Sequence, residues 1–187
     1  MSGGNLGVGV KRIANDNLMN AHNYREEKVL GNGQFGSVAL CTNFSTGKKV
    51  IIKALNKSVN TRQLDSFRGE EETNILLDHQ NIAKCIDSFE DEGNYHIVIE
   101  YVDGGDLNKL IKNGPVDESV GIMILQLLLA LDFTQSKRIV HENIKSENIL
   151  LDSKGNIKLA DFGIAKILEY ESNVEAIVQY SQDYEHQ

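Results

Sequence analysis

His141-Glu142-Asn143-Ile144-Lys145-Ser146-Glu147-Asn148-Ile149-Leu150 is a polar cluster that passes directly into an apolar run ending at Leu151. A loop that presents side chains at a site and then enters the core as a strand has this pattern. Asp161-Phe162-Gly163 follows downstream, with a hairpin signal between the two. It runs from Ile149 to Leu151, through the turn Asp152-Ser153-Lys154-Gly155-Asn156, and back from Ile157 to Ala160. Such a hairpin holds Asn148 and Asp161 near each other at one end. A neutral oxygen donor beside a carboxylate is what a hard cation such as magnesium takes.

A glycine motif stands upstream. Val29-Leu30 precede Gly31-Asn32-Gly33-Gln34-Phe35-Gly36, and Ser37-Val38-Ala39-Leu40-Cys41 follow. The nicotinamide type of glycine motif opens a helix. Here β-formers follow, then a second turn over Asn43 to Gly47, then Lys49-Val50-Ile51-Ile52-Lys53. The pattern predicts a strand meander and demotes dinucleotide binding. Lys53 closes an apolar strand, a place where lysine is unusual unless paired.

The opening stretch resembles the catalytic loop of protein kinases, H-R-D-L-K-x-x-N. His141, Lys145 and Asn148 match, whereas Glu142 stands in place of Arg and Asn143 in place of the catalytic Asp. Asp161-Phe162-Gly163 matches the magnesium-binding D-F-G, and Gly31 to Val38 matches the glycine-rich loop. The resemblance implies an α+β, protein-kinase-like fold. A small antiparallel β-sheet lobe with one helix is followed by the first part of a mainly helical lobe. The expected organisation is a disordered lead-in over 1–22, a sheet lobe over 23–102 and a partial helical lobe over 103–187 that ends within the activation segment, before A-P-E.

The resemblance also implies residue roles. Gly31, Asn32, Gly33, Gln34, Phe35 and Gly36 would cradle phosphates through backbone amides, with Phe35 covering them. Val38, Ile51, Ile99 and Leu150 would contact the base. Ile51 is larger than the usual Ala above adenine and would narrow the slot. Lys53 would reach the α- and β-phosphates and pair with a helix glutamate. Counting back from His79-Gln80-Asn81-Ile82 selects Glu70 for that pairing. Side-chain phase selects Glu72, because Leu76, an apolar residue, stands one turn beyond it. Glu72 is the expectation carried forward. Backbone groups of Glu100 and Val102 would bond adenine, with Ile99 at the back of the pocket, and Asp106 would reach the ribose. Asn148 and Asp161 would hold magnesium, and Lys145 would steady the γ-phosphate, as in serine/threonine kinases.

The implied catalyst is defective. Asn143 can orient a hydroxyl but cannot take its proton, and loss of a general base costs ~10²–10⁴ in rate, roughly 3–5 kcal/mol. Glu142 would repel a phosphate at Ser172, Tyr180 or Ser181 rather than dock it. The expected function is a serine/threonine-kinase-like domain that binds ATP and magnesium and transfers phosphate weakly or not at all. The alternatives are a weakly active kinase and an interaction module that binds no nucleotide.

Composition sets outer bounds. The 187 residues are 41% apolar and 25% charged, ordinary for a folded domain. Net charge −8 and a pI near 5.1 argue against nucleic acid or an anionic membrane surface as partner. Cys41 and Cys85 read as free thiols. No signal-peptide core or run of membrane length is visible, so cytoplasm or nucleus is expected. The apolar stretch from Val120 to Ser136 predicts a helix buried on all sides. Protein substrate and protein partner stay open.

Overall fold

The computed structural model describes residues 23–32, 36–114, 119–163 and 165–167. The expected lead-in, the tip of the glycine motif at Gly33, Gln34 and Phe35, and the segment from 168 onward with Ser172, Tyr180 and Ser181 lie outside the described residues.

The predicted meander is present. Strands β1 (Tyr24–Asn32), β2 (Gly36–Asn43), β3 (Lys49–Asn56), β4 (Cys85–Glu90) and β5 (Asn94–Glu100) form one antiparallel sheet in the order β1-β2-β3-β5-β4. Side chains alternate between its faces. Val50, Ile52 and Val98 join Tyr24, Ala39 and Cys41 in one buried cluster. Ile97 and Ile99, flanking Val98, join Ala83 on the other face, against Phe67. Phe67 belongs to α1 (Thr61–Leu76), whose start is fixed by a capping box between Asn60 and Gln63.

Gly36 is required by packing. A Cβ there would stand 2.1 Å from the Ala54 carbonyl oxygen, so only glycine lets β2 lie this close to β3.

The second part of the chain holds α2 (Leu107–Lys112), α3 (Ser119–Ser136), β6 (Ile139–Val140), a 3-10 turn over Ser146–Asn148, β7 (Ile149–Leu151), β8 (Ile157–Leu159) and β9 (Lys166–Ile167). β7 and β8 form the expected hairpin, and β6 pairs with β9. Asp152 accepts the Lys154 and Asn156 amides, which closes the hairpin turn. Leu77, Ile82, Met123, Ala130, Ile139, Ile149, Leu151, Ile157, Leu159 and Phe162 form the main core.

Strand β5 ends at Glu100, so Tyr101 and Val102 lie beyond the sheet. One expectation needs correction. Helix α3 is not buried all round. Met123, Leu127, Ala130 and Leu131 face the core at helical spacing, while Ile122, Ile124, Leu125, Leu128 and Leu129 are exposed. Among the described residues, the helix packs on β6 and β8 from one side. No described helix is long and apolar enough to cross a membrane. Cys41 and Cys85 are free, as expected, with Cys41 fully buried and Cys85 half-buried. Burial and the Glu26 and Glu27 carboxylates push the Cys41 thiol up to about 12.

The buried face of α1 is unexpectedly polar: Glu70, Thr73 and Asn74. The Asn74 amide nitrogen is buried without a partner among the described residues. An unmet buried donor costs about 1–3 kcal/mol. Asn74→Leu should therefore raise stability by about 1 kcal/mol, measured by urea unfolding; a loss of stability would mean that the amide has a partner.

Candidate nucleotide site

Strand β3 delivers Lys53 to the cleft face of the sheet. Its ammonium sits between two carboxylates. It forms an ion pair with Glu70 of α1 and stands 3.0 Å from Asp161 Oδ1. Glu70 is 8% exposed and Lys53 22%, so solvent screens that pair little, whereas Asp161 is 41% exposed and its contact with Lys53 is screened more. Burial pulls the Lys53 ammonium down, but Glu70 and Asp161 outweigh it and hold its pKa above the ordinary value. Burial pushes the Asp161 carboxyl up, and Lys53 reverses this and holds it below the ordinary range.

The Glu72 expectation is thereby corrected. Glu72 is exposed and lines a cavity of about 560 Å³ behind α1 with Ile75, Leu76, Phe89 and Tyr95. The phase argument failed because it required an apolar residue one turn beyond the pairing glutamate. That place holds buried Asn74, and Leu77, just past the helix, supplies the apolar contact to the core that also contains Phe162.

A cavity of about 410 Å³ opens beside Lys53, lined by Gly31, Asn32, Gly36, Val38, Phe67 and Glu70. Val38, Ile51 and Leu150 are half-buried, whereas their neighbours Ala39, Ile52 and Leu151 are buried, so the three present the opposite face of their strands. Ile99 is buried where β5 pairs with Ile51. The Glu100 carboxylate takes Lys158 at 2.6 Å and the Lys84 amide at 2.8 Å. The Val102 amide and carbonyl have no hydrogen bond among the described residues, and so remain available to a base edge. Asp106 is already engaged: it caps α2 through the Lys109 amide and pairs with Lys109 Nζ at 2.7 Å.

The connection that follows is not a plain linker. The Gly104 amide donates to the Leu151 carbonyl at 2.7 Å, and the Leu151 amide to the Gly105 carbonyl at 2.8 Å. A Cβ on Gly104 would lie 2.5 Å from the Leu151 oxygen. Sequence reading missed this contact.

The opening stretch is ordered by its own hydrogen bonds. The Asn143 amide donates to His141 Nδ1, so the neutral ring carries its proton on Nε2 and donates it to the Ala160 carbonyl at 3.0 Å. Burial lowers the His141 pKa, consistent with a neutral ring. The ring packs on fully buried Phe162 at 4.5 Å between centroids. Asn148 Nδ2 donates to the Asn143 carbonyl, and the Ala160 amide to the Asn148 carbonyl. Asn143 Nδ2 donates to Asp161 Oδ2 at 3.2 Å. Lys145 is exposed and adds positive potential at Asp161. Glu142 pairs with Lys166 of β9 at 2.9 Å.

Together, the hairpin brings Asn148 and Asp161 to one end, and Lys53, Glu70, Asn143 and Asp161 form a connected cluster. Phosphoryl-transfer sites are built from residue types of this kind. The sequence profile of the protein kinase domain matches residues 24–184. The chain belongs to the protein kinase family. This kinase domain is 35% identical over 158 residues to the probable serine/threonine-protein kinase MARK-C of Dictyostelium discoideum. It is 36% identical over 154 residues to a second probable serine/threonine-protein kinase of that organism. Each alignment covers 81% of this chain but only 20% and 31% of the respective relative.

The magnesium donors fit the family's cation. Asn148 spends its amide nitrogen on Asn143, which leaves its oxygen, and Asp161 adds a carboxylate. Magnesium characteristically takes one or two carboxylates and completes its shell with water and phosphate.

Glu70→Gln should cost about 1–3 kcal/mol by leaving part of a buried charge uncompensated, while Glu72→Gln should stay within about 0.5 kcal/mol. Urea unfolding of both variants checks this, and equal losses would refute the assignment.

Proposed function

We propose that this kinase domain binds ATP with magnesium and transfers phosphate to serine or threonine hydroxyls weakly or not at all. The observation that carries the proposal is Lys53 held between Glu70 and Asp161 beside the glycine-lined cavity. A paired ammonium of this kind is poised for phosphate oxygens. Adenine would bond the free backbone groups of Val102 and the Glu100 carbonyl, between Val38 and Ile51 on one side and Leu150 on the other. Gly31, Asn32 and Gly36 would approach the phosphates together with Gly33, Gln34 and Phe35. Asp106 would meet the ribose only by sharing its carboxylate with the cap of α2.

In transfer, the substrate hydroxyl oxygen bonds to the γ-phosphorus, the bond to the β–γ bridging oxygen breaks, and the hydroxyl proton must leave. Lys145 would neutralise charge on the γ-phosphate. Asn143 has no site for that proton. Its amide nitrogen is turned to Asp161, which leaves Oδ1 to accept a hydrogen bond from the incoming hydroxyl. This favours slow transfer, with water as the proton acceptor, over a complete loss of orientation.

Magnesium-ATP at 100 times its dissociation constant should stabilise the chain by about 2.7 kcal/mol in thermal unfolding. No shift in a folded sample at millimolar ATP would end the nucleotide reading. Asn143→Asp should raise transfer to a generic serine/threonine peptide by about 10²-fold or more. An unchanged rate in a variant that still binds ATP would show that Asn143 does not limit the reaction.

A further inference from the structure

Both oxygens of the Asp161 carboxylate already have a donor from the protein. Oδ1 accepts from Lys53 Nζ at 3.0 Å, and Oδ2 from Asn143 Nδ2 at 3.2 Å. The donors are themselves fixed. Lys53 is anchored by Glu70, and the Asn143 backbone is anchored from both sides: its amide bonds His141 and its carbonyl takes Asn148 Nδ2. A chain of contacts thus runs from Asn148 through Asn143, Asp161 and Lys53 to Glu70.

The position of Asn143 gives this chain its meaning. A carboxylate in the same place would face Asp161 as a second anion, and the nearby Lys53 ammonium, already shared between Asp161 and Glu70, would offset only part of that added charge. An amide in that place donates a hydrogen bond and leaves one negative charge fewer beside Asp161. Part of the neutralisation that a divalent ion brings to this site is therefore supplied by the side chain.

We propose that Asn143 is a positioning residue that holds Asp161 inward without a divalent cation, so that nucleotide enters this site with little dependence on metal. The consequence for nucleotide rests on the ATP-binding reading above. The consequence for Asp161 does not.

Two arms test it. In the first, unfolding temperature is measured without nucleotide, in EDTA and in manganese, for the natural chain, Asn143→Asp and Asn143→Asp with Asp161→Asn. The natural chain should hardly respond to manganese. The Asp variant should be less stable in EDTA and recover with manganese, and the added Asp161→Asn change should abolish that recovery. An equal manganese response in the natural chain and the Asp variant overturns the proposal. In the second arm, ATP affinity is measured by calorimetry with magnesium and with EDTA. The natural chain should differ by less than about threefold, and the Asp variant should bind about tenfold or more tightly with magnesium. A tenfold magnesium gain in the natural chain overturns the proposal. Asn143→Ala removes the donor without adding charge and serves if the Asp variant does not fold. It should weaken metal-free binding about threefold and leave magnesium-bound affinity unchanged; a uniform loss would mark a merely structural role. Absence of ATP binding in every condition would remove the nucleotide reading, while the manganese arm would still decide the role of Asn143.

Discussion

Lys53 carries an ammonium that two distant segments must share. One carboxylate comes from α1, which packs on the sheet, and the other from the turn beyond β8. The first contact needs the sheet and α1 in place, the second the sheet and the β7–β8 hairpin, and the pair together needs all three. The cluster is therefore a readout of the whole fold, and the burial of Lys53 and Glu70 makes loss of either one expensive. Around it, the remaining contacts act as supports. Ser66 donates to the Gly163 carbonyl, and Phe162 beneath it is sealed against His141.

Most of this was legible in the sequence because it is written in local chemistry. The short apolar runs Val50-Ile51-Ile52 and Ile97-Val98-Ile99 mark β3 and β5, a polar run followed by Ile149-Leu150-Leu151 defines the loop and its strand, and Asp152 with Gly155 defines the turn. The pairing partner of Lys53 was read incorrectly. The separation from His79-Gln80-Asn81-Ile82 pointed to Glu70, and that segment is in fact a fixed reference: Asn81 bonds the Ile157 carbonyl and the Leu159 amide. The competing signal was helical phase, which assumes that buried positions are apolar. Asn74 breaks that assumption, and no sequence pattern announces an amide buried without a partner.

The contacts around Glu142 and Asn143 were not legible for a different reason. As single letters they read as losses: a reversed charge and a missing base. In three dimensions each has acquired a partner, Lys166 for one and Asp161 for the other. Exposed pairs such as Glu142 with Lys166 contribute little energy by themselves. Their geometry still matters, because this pair ties the 141–150 loop to β9 beside the β6–β9 ladder. Both side chains are thus bonded within the fold rather than leaving gaps, and only the neighbours' positions reveal that.

The Gly104 contact bears on how the two lobes move. Residues 103–106 are laced to the β7–β8 hairpin: Gly104 and Gly105 bond Leu151, the Asp103 carboxylate takes the Ser153 amide, and Asp106 bridges to Leu150. Mechanically, this segment travels with the lower lobe as an extra ribbon of its small sheet. Any closure of the cleft has to be taken up above this ribbon, at Tyr101 and Val102 where the chain leaves β5, while the Lys158–Glu100 ion pair and the Ala83–Leu159 hydrogen bond span the same side and resist it.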